Sequence, residues 1–145
     1  MARAFPATLA LFFALFGGQP PGQDAPYTPE PQSAERKAIM DALRIPIQKQ
    51  LNQKVIFKID HLKVQNGWAF LTGKPRQPGG SPIDYRGTPY QEAIDAGVFD
   101  DGVCALLRLK DGRWRVVTFT LGATDVPWVE WDKKYKAPPA LFKLE

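Results

Sequence analysis

Residues 103–135 read VCALLRLKDGRWRVVTFTLGATDVPWVEWDKKY. Asp111-Gly112 lies between two alternating runs. A two-residue type I′ turn needs positive φ at both central positions, and Asp-Gly meets that need. The loop length sets the register. Lys110 faces Arg113, Arg108 faces Arg115, and Leu107 faces Val116. With side chains alternating at period two, Val103, Ala105, Leu107 and Leu109 share a face with Trp114, Val116, Thr118 and Thr120. Cys104, Leu106, Val117, Phe119 and Leu121 fall on the other face, together with Arg108, Lys110, Arg113 and Arg115. The base of this hairpin is apolar on both sides, so it belongs in the middle of a sheet covered on both faces there. Its tip carries four cations on one face.

A second hairpin lies upstream. Lys54 to Gln65, then Asn66-Gly67, then Trp68 to Gly73 form the same strand–turn–strand pattern. Leu62 and Val64 pair with Leu71 and Ala69 on one apolar face, yet Val55, Phe57 and Ile59 have the opposite parity. One extra residue near Asp60-His61 would restore a common face, so the pattern predicts a β-bulge there. Before this hairpin, Ile39, Leu43, Ile47 and Leu51 make a helical stripe, with Ser33 as N-cap and Glu35 in the first turn. Pro46 interrupts the stripe, and a kink or break is expected at Arg44–Ile45.

The remaining segments are shorter. Between Gly73 and Val103, Thr88 as N-cap, Pro89 at the first position and Gly97 past the end predict a short middle helix. A connection of about 30 residues is long enough to carry a lid or binding surface. After Leu121, Thr124 or Asp125 caps a last helix with Pro127 in its first turn. Trp128, Trp131 and Tyr135 lie along one side of it, at a spacing that fits core packing. Leu141 and Phe142 are placed to dock back on the domain. These elements define an α+β fold: an N-terminal helix on a four-stranded antiparallel sheet of two hairpins, with a short middle helix and a C-terminal helix.

Length allows one domain. Arg3 precedes the run ATLALFFALF at residues 7–16 and then Gly17-Gly18. A positive charge, about ten apolar residues and small residues read as an export signal spanning residues 1–25, too short for a membrane span. Residues 26–32, rich in proline and polar side chains, read as a disordered linker, and residues 33–145 as the domain. The expected location is the periplasm or the outside of the cell. Net charge is +4, and removing residues 1–25 takes away Arg3 and Asp24 and leaves it there.

Chemistry-bearing residues are few. With one cysteine and one histidine, no zinc site of the usual Cys/His spacing can be built. Cys104, inside an apolar strand, reads as a small buried hydrophobe. G-x-S-x-G, H-E-x-x-H, P-loop and EF-hand patterns are absent, and neither cofactor nor metal is expected. His61 next to Asp60 suggests a general base, and with Asp84 and Tyr85 it forms an alternative pocket, though neighbouring strand residues point to opposite faces. Asp84, Glu92, Asp95, Asp100 and Asp101 gather in the middle segment, where carboxylates commonly serve turns and helix ends. The distinctive feature is the basic tip. Like charges facing each other across a strand pair are unfavourable, so Arg108, Lys110, Arg113 and Arg115 are either screened by solvent and salt, neutralised by Glu130 or Asp132, or matched by a bound anion. For an exported chain the anion would be an envelope polymer or an acidic protein, with nucleic acid excluded by compartment.

The phrases ERKAIMDALR, GWAFLTGKP and GRWRVVTFTLGATDVPW resemble those of small exported bacterial proteins of unknown function. That resemblance implies no activity and assigns no site residue. The order of one helix followed by antiparallel hairpins is also similar to cystatin-like and NTF2-like folds. The cystatin pattern Q-x-V-x-G is not met, because Gln53-Lys54-Val55-Ile56-Phe57 ends in phenylalanine. Two functional classes follow: a non-catalytic envelope binding or accessory module acting through the basic tip, and an NTF2-like ligand-binding or enzymatic domain with a pocket near His61.

Overall fold

The computed structural model describes residues 25–144, so the expected export signal lies outside the described residues apart from Ala25. Helix α1 (Ala34–Leu51) opens on Ser33, whose Oγ accepts from the Arg36 amide at 3.1 Å. It closes on Asn52, in the left-handed conformation. Ile39, Leu43, Ile47 and Leu51 are all buried. The expected break does not occur, since α1 runs through Pro46 without interruption. A proline inside a helix costs about 3 kcal/mol, whereas burying each apolar side chain of the stripe gains roughly 1.5–3 kcal/mol. The four buried residues span both sides of Pro46, so packing outweighs the lost backbone bond.

The segment before α1 is not a free linker. The Tyr27 amide donates to the Val64 carbonyl at 2.9 Å, and the Val64 amide returns the bond at 2.8 Å. The Thr28 hydroxyl donates to the Leu62 carbonyl, and the Tyr27 hydroxyl to Glu35. Proline-rich composition suggested disorder, but paired backbone groups outweigh it here.

Four strands follow: β1 (Ile56–Gln65), β2 (Trp68–Arg76), β3 (Val103–Lys110) and β4 (Arg113–Leu121). They form an antiparallel meander in the order β1-β2-β3-β4. Both two-residue turns have positive φ: 49° and 76° at Asn66-Gly67, 52° and 74° at Asp111-Gly112. The expected pairs Lys110–Arg113, Arg108–Arg115 and Leu107–Val116 are all present. So is the β1 bulge, where Ile59 pairs with Gly73 and His61 with Thr72, leaving Asp60 as the extra residue.

A second bulge changes the expected faces of β4. Leu107 pairs with Val116 but Leu106 pairs with Thr118, so Val117 is extra. Beyond it every side chain changes sides. Phe119 and Leu121 therefore join the face of Val103, Ala105 and Leu107, while Thr118 and Thr120 move to the face of Leu106 and Cys104.

The sheet separates two cores. On one face α1 packs over Leu62, Val64, Ala69, Leu71, Val103, Ala105 and Leu107. On the other, Trp68, Phe70, Cys104 and Leu106 meet the C-terminal segment. Val103 to Leu107 are buried without exception, as expected for the middle of a sheet covered on both sides, but only β3 of the β3–β4 hairpin is central: β4 is an edge strand, and its Val117 is exposed. The C-terminal helix α3 is shorter than expected, Trp131–Tyr135, because residues 127–130 form a turn whose Trp131 amide donates to the Trp128 carbonyl. The aromatic stripe is core all the same: Trp128 and Trp131 lie 5.5 and 6.2 Å from Phe70, ring centre to ring centre. A 3₁₀ turn at Pro139–Phe142 seats Leu141, fully buried, against the same cluster.

In the β2–β3 connection, helix α2 (Gln91–Asp95) starts two residues later than a Thr88 cap suggested. Thr88 instead closes the preceding turn, its hydroxyl donating to the Tyr85 carbonyl. Gly97 does end the helix. Its φ is 72°, and the Gly97 and Val98 amides bond to the Ile94 and Ala93 carbonyls, the paired closure typical of a glycine past a helix end.

Candidate functional site

Both hairpin turns lie at the same end of the sheet, tied by the Leu109 amide donating to the Gly67 carbonyl at 2.7 Å. The buried run of β3 ends at Leu107, and Arg108, Lys110, Arg113 and Arg115 are exposed beyond it. The ladder keeps them in two facing pairs on one side of the sheet. Arg108 is anchored. It pairs with Trp68 across β2–β3, and its guanidinium carbon lies 4.7 Å from the indole centre. An aromatic face attracts a cation by its quadrupole, and the arginine stem covers apolar surface on the way.

Among the described residues none of the four cations forms an ion pair. The expected neutralisers are not engaged there: Asp132 Oδ1 accepts from the Lys133 amide at 2.8 Å, and Glu130 makes no ion pair among the described residues. Asp111, in the turn, offsets one charge, so residues 108–115 carry four cations against one carboxylate. The arrangement is an exposed basic tip, with one guanidinium stacked on an indole and three further exposed cations beside it.

The alternative pocket is not assembled. His61 lies under the sheet on the C-terminal side, 5.5 Å from the Phe70 ring. Its Nε2 is 3.1 Å from the Leu141 carbonyl. A carbonyl only accepts, so Nε2 carries a proton and donates. Asp60, the bulge residue, makes no hydrogen bond to the ring, and His61 acts as a tie for the C-terminal turn. Tyr85 lies instead with the α1-side core, 4.8 Å from Phe99. Among the described residues its buried hydroxyl has no hydrogen-bond partner, and burial pushes its pKa up to about 12. Asp84 points outward and takes two bonds from the Arg86 side chain, at 3.0 and 2.8 Å. Those bonds hold its carboxyl down to about 2. The three residues therefore serve three separate places.

The middle carboxylates act in local structure. Asp101 pairs with Lys74 at 3.0 Å and Arg76 at 3.7 Å. Asp100 accepts from the Gly102 amide, and Asp95 from Gln91. Two clefts flank the β1 bulge. One, of about 270 Å³, is lined by Arg36, Asp60 and His61; the other, of about 250 Å³, by Asp60, Asp100, Asp125 and Trp128. Sequence reasoning missed the second, because its walls come from four separate segments. Among the described residues no cluster of His, Cys, Asp or Glu could hold a metal ion. Cys104 is buried, and burial raises its thiol to about 11, the state of an inert packing residue.

No protein-family model, no curated protein and no solved structure matches this chain. No helix among the described residues is long and apolar enough to cross a membrane.

Proposed function

We propose that this chain is an exported, non-catalytic binding or accessory module of the bacterial cell envelope, contacting an anionic partner through the Arg108/Lys110/Arg113/Arg115 tip. The observation that carries the reading is that four exposed cations are held in facing pairs with no acidic partner among the described residues. A facing like-charge pair is unfavourable by roughly 0.2–1 kcal/mol. A bound anion would relieve both pairs at once through charge-assisted hydrogen bonds. The export part of the reading rests on Arg3 and the apolar run at residues 7–16. The accessory role is supported by the places of the candidate groups among the described residues: His61, Asp84 and Tyr85 are apart, and Cys104 is buried.

Retention on immobilised dextran sulfate at low salt tests the reading. Wild-type protein should be held, and the Lys110→Gln/Arg113→Gln variant should elute earlier. Equal elution of both would contradict it.

A further inference from the structure

The two edges of the sheet are treated differently. The outer edge of β1 is bridged by Tyr27, which exchanges two backbone bonds with Val64. The outer edge of β4 has no partner strand among the described residues. An open edge presents backbone donors and acceptors that an extended peptide can complete. We infer that β4 accepts an acidic, extended polypeptide segment as an added strand, with its carboxylates facing Arg113 and Arg115. This inference rests on the proposed anion-binding role of the tip and assigns that partner a class.

Ladder geometry supplies the first argument. A two-residue turn makes Lys110–Arg113 a hydrogen-bonded pair, and by alternation Arg108–Arg115 is another. The amide and carbonyl of Trp114, between them, therefore point away from β3, and Val116 is next in the same sense. Side chains supply the second. Arg113 and Arg115 are exposed on one face of the edge, two residues apart. Trp114 and Val116 are half-buried on the other, at the margin of the α1-side core. A strand alternating acidic and apolar residues matches both faces, with opposite charges directly across. The bulge at Val117 interrupts the ladder, so the matched stretch is short.

The same features weigh against other occupants. A second copy paired about Trp114 would set Arg113 against Arg115. A polyanion without amides would use the cations and leave the Trp114 backbone groups in water.

The test uses the full chain and a blocked synthetic peptide, Thr-Glu-Val-Glu-Thr-Glu-Val. A second peptide carries N-methyl groups at the valines and threonines, the positions whose amides would meet the β4 edge. The expected result is binding of the first peptide with slowed hydrogen exchange at the Trp114 amide. The methylated peptide should bind about tenfold more weakly, roughly the loss of one backbone hydrogen bond. Equal binding of both peptides without protection would overturn strand addition and leave the anion-binding role standing. Failure of both peptides and of dextran sulfate to bind at low salt would overturn both. A dimer with Trp114 already protected in the absence of peptide would show the edge taken by a second copy, and would overturn the inference as well.

Discussion

The Arg108 guanidinium stacks 4.7 Å over the ring of Trp68, the residue opposite it across the β2–β3 ladder. The contact joins the edge of the buried core to the charged tip. It also separates Arg108 from its three neighbours, for which no comparable aromatic contact is found among the described residues. Arg108→Ala should lower stability by about 0.5–1 kcal/mol through lost stacking and stem packing. Lys110→Gln and Arg113→Gln should leave stability unchanged or raise it slightly, because each removes a like-charge pair. Urea unfolding of the three variants checks this, and equal losses in all three would show that the stacking has no special weight.

Gly73 sits where the β1 bulge presses on β2. A Cβ there would lie 2.3 Å from the Lys58 carbonyl oxygen and 3.1 Å from Ile59 Cα. Both are backbone atoms and cannot swing aside. Gly73→Ala should destabilise by about 1–3 kcal/mol, the usual cost of overpacking. A thermal midpoint equal to that of the parent would mean the bulge is looser than described.

At the Asp111-Gly112 turn the constraint is conformational alone. Gly112 has φ 74°, and beyond its chain neighbours no atom of the described residues lies within 4 Å of its absent Cβ. Gly112→Val should cost more than about 1 kcal/mol. Gly112→Asn should be milder, since asparagine tolerates the left-handed region. Comparable losses in both variants would point to a steric cause that the turn does not contain.

Stability should fall at alkaline pH. Burial raises Cys104 to about 11 and Tyr85 to about 12, from ordinary values of 9.0 and 10.0. Above the ordinary value the unfolded chain has released a proton that the folded chain retains, so each rise in pH favours unfolding. The contribution is present in full below pH 9 and is lost as pH climbs through 11 for Cys104, then through 12 for Tyr85. Each group adds a slope of at most about 1.4 kcal/mol per pH unit within its window. Cys104→Ala should flatten the first part of the curve, measured as unfolding free energy from pH 8 to 11. An unaltered slope would show that the thiol titrates normally.

The fold was legible where sequence pattern and local geometry agree. Asn66-Gly67 and Asp111-Gly112 needed only turn chemistry, and the β1 bulge showed as apolar residues changing parity between Ile59 and Leu62. The same signature stood in β4: Trp114 and Val116 are even, Phe119 and Leu121 odd, with the Val116-Val117 doublet between them. Two consecutive β-branched residues looked like a strand buried on both faces, which hid the bulge. Pro46 misled because local cost was weighed without the buried stripe around it. Residues 26–32 misled because composition carries no record of the β1 edge they bridge. At the site, the register of the cations was readable from the turn, but the stacking of Arg108 on Trp68 was not, since it joins two hairpins. The grouping of His61, Asp84 and Tyr85 failed for the same reason: side chains from distant segments meet only as the packing of both sheet faces dictates.

The central claim is that the tip, rather than net charge, binds the anion. The most direct measurement is the salt dependence of dextran sulfate affinity for three proteins: wild type, Lys110→Gln/Arg113→Gln, and Lys133→Gln/Lys134→Gln. The last two lose the same charge, and Lys133 and Lys134 are exposed on α3 and belong to neither facing pair. The account predicts wild-type binding that weakens steeply as salt screens it. The tip variant should bind about tenfold more weakly at low salt, with a shallower dependence, as expected for the loss of two charge contacts. The α3 variant should track the wild type. Equal weakening of the two variants would contradict the account and reduce the tip to one part of a diffusely basic surface.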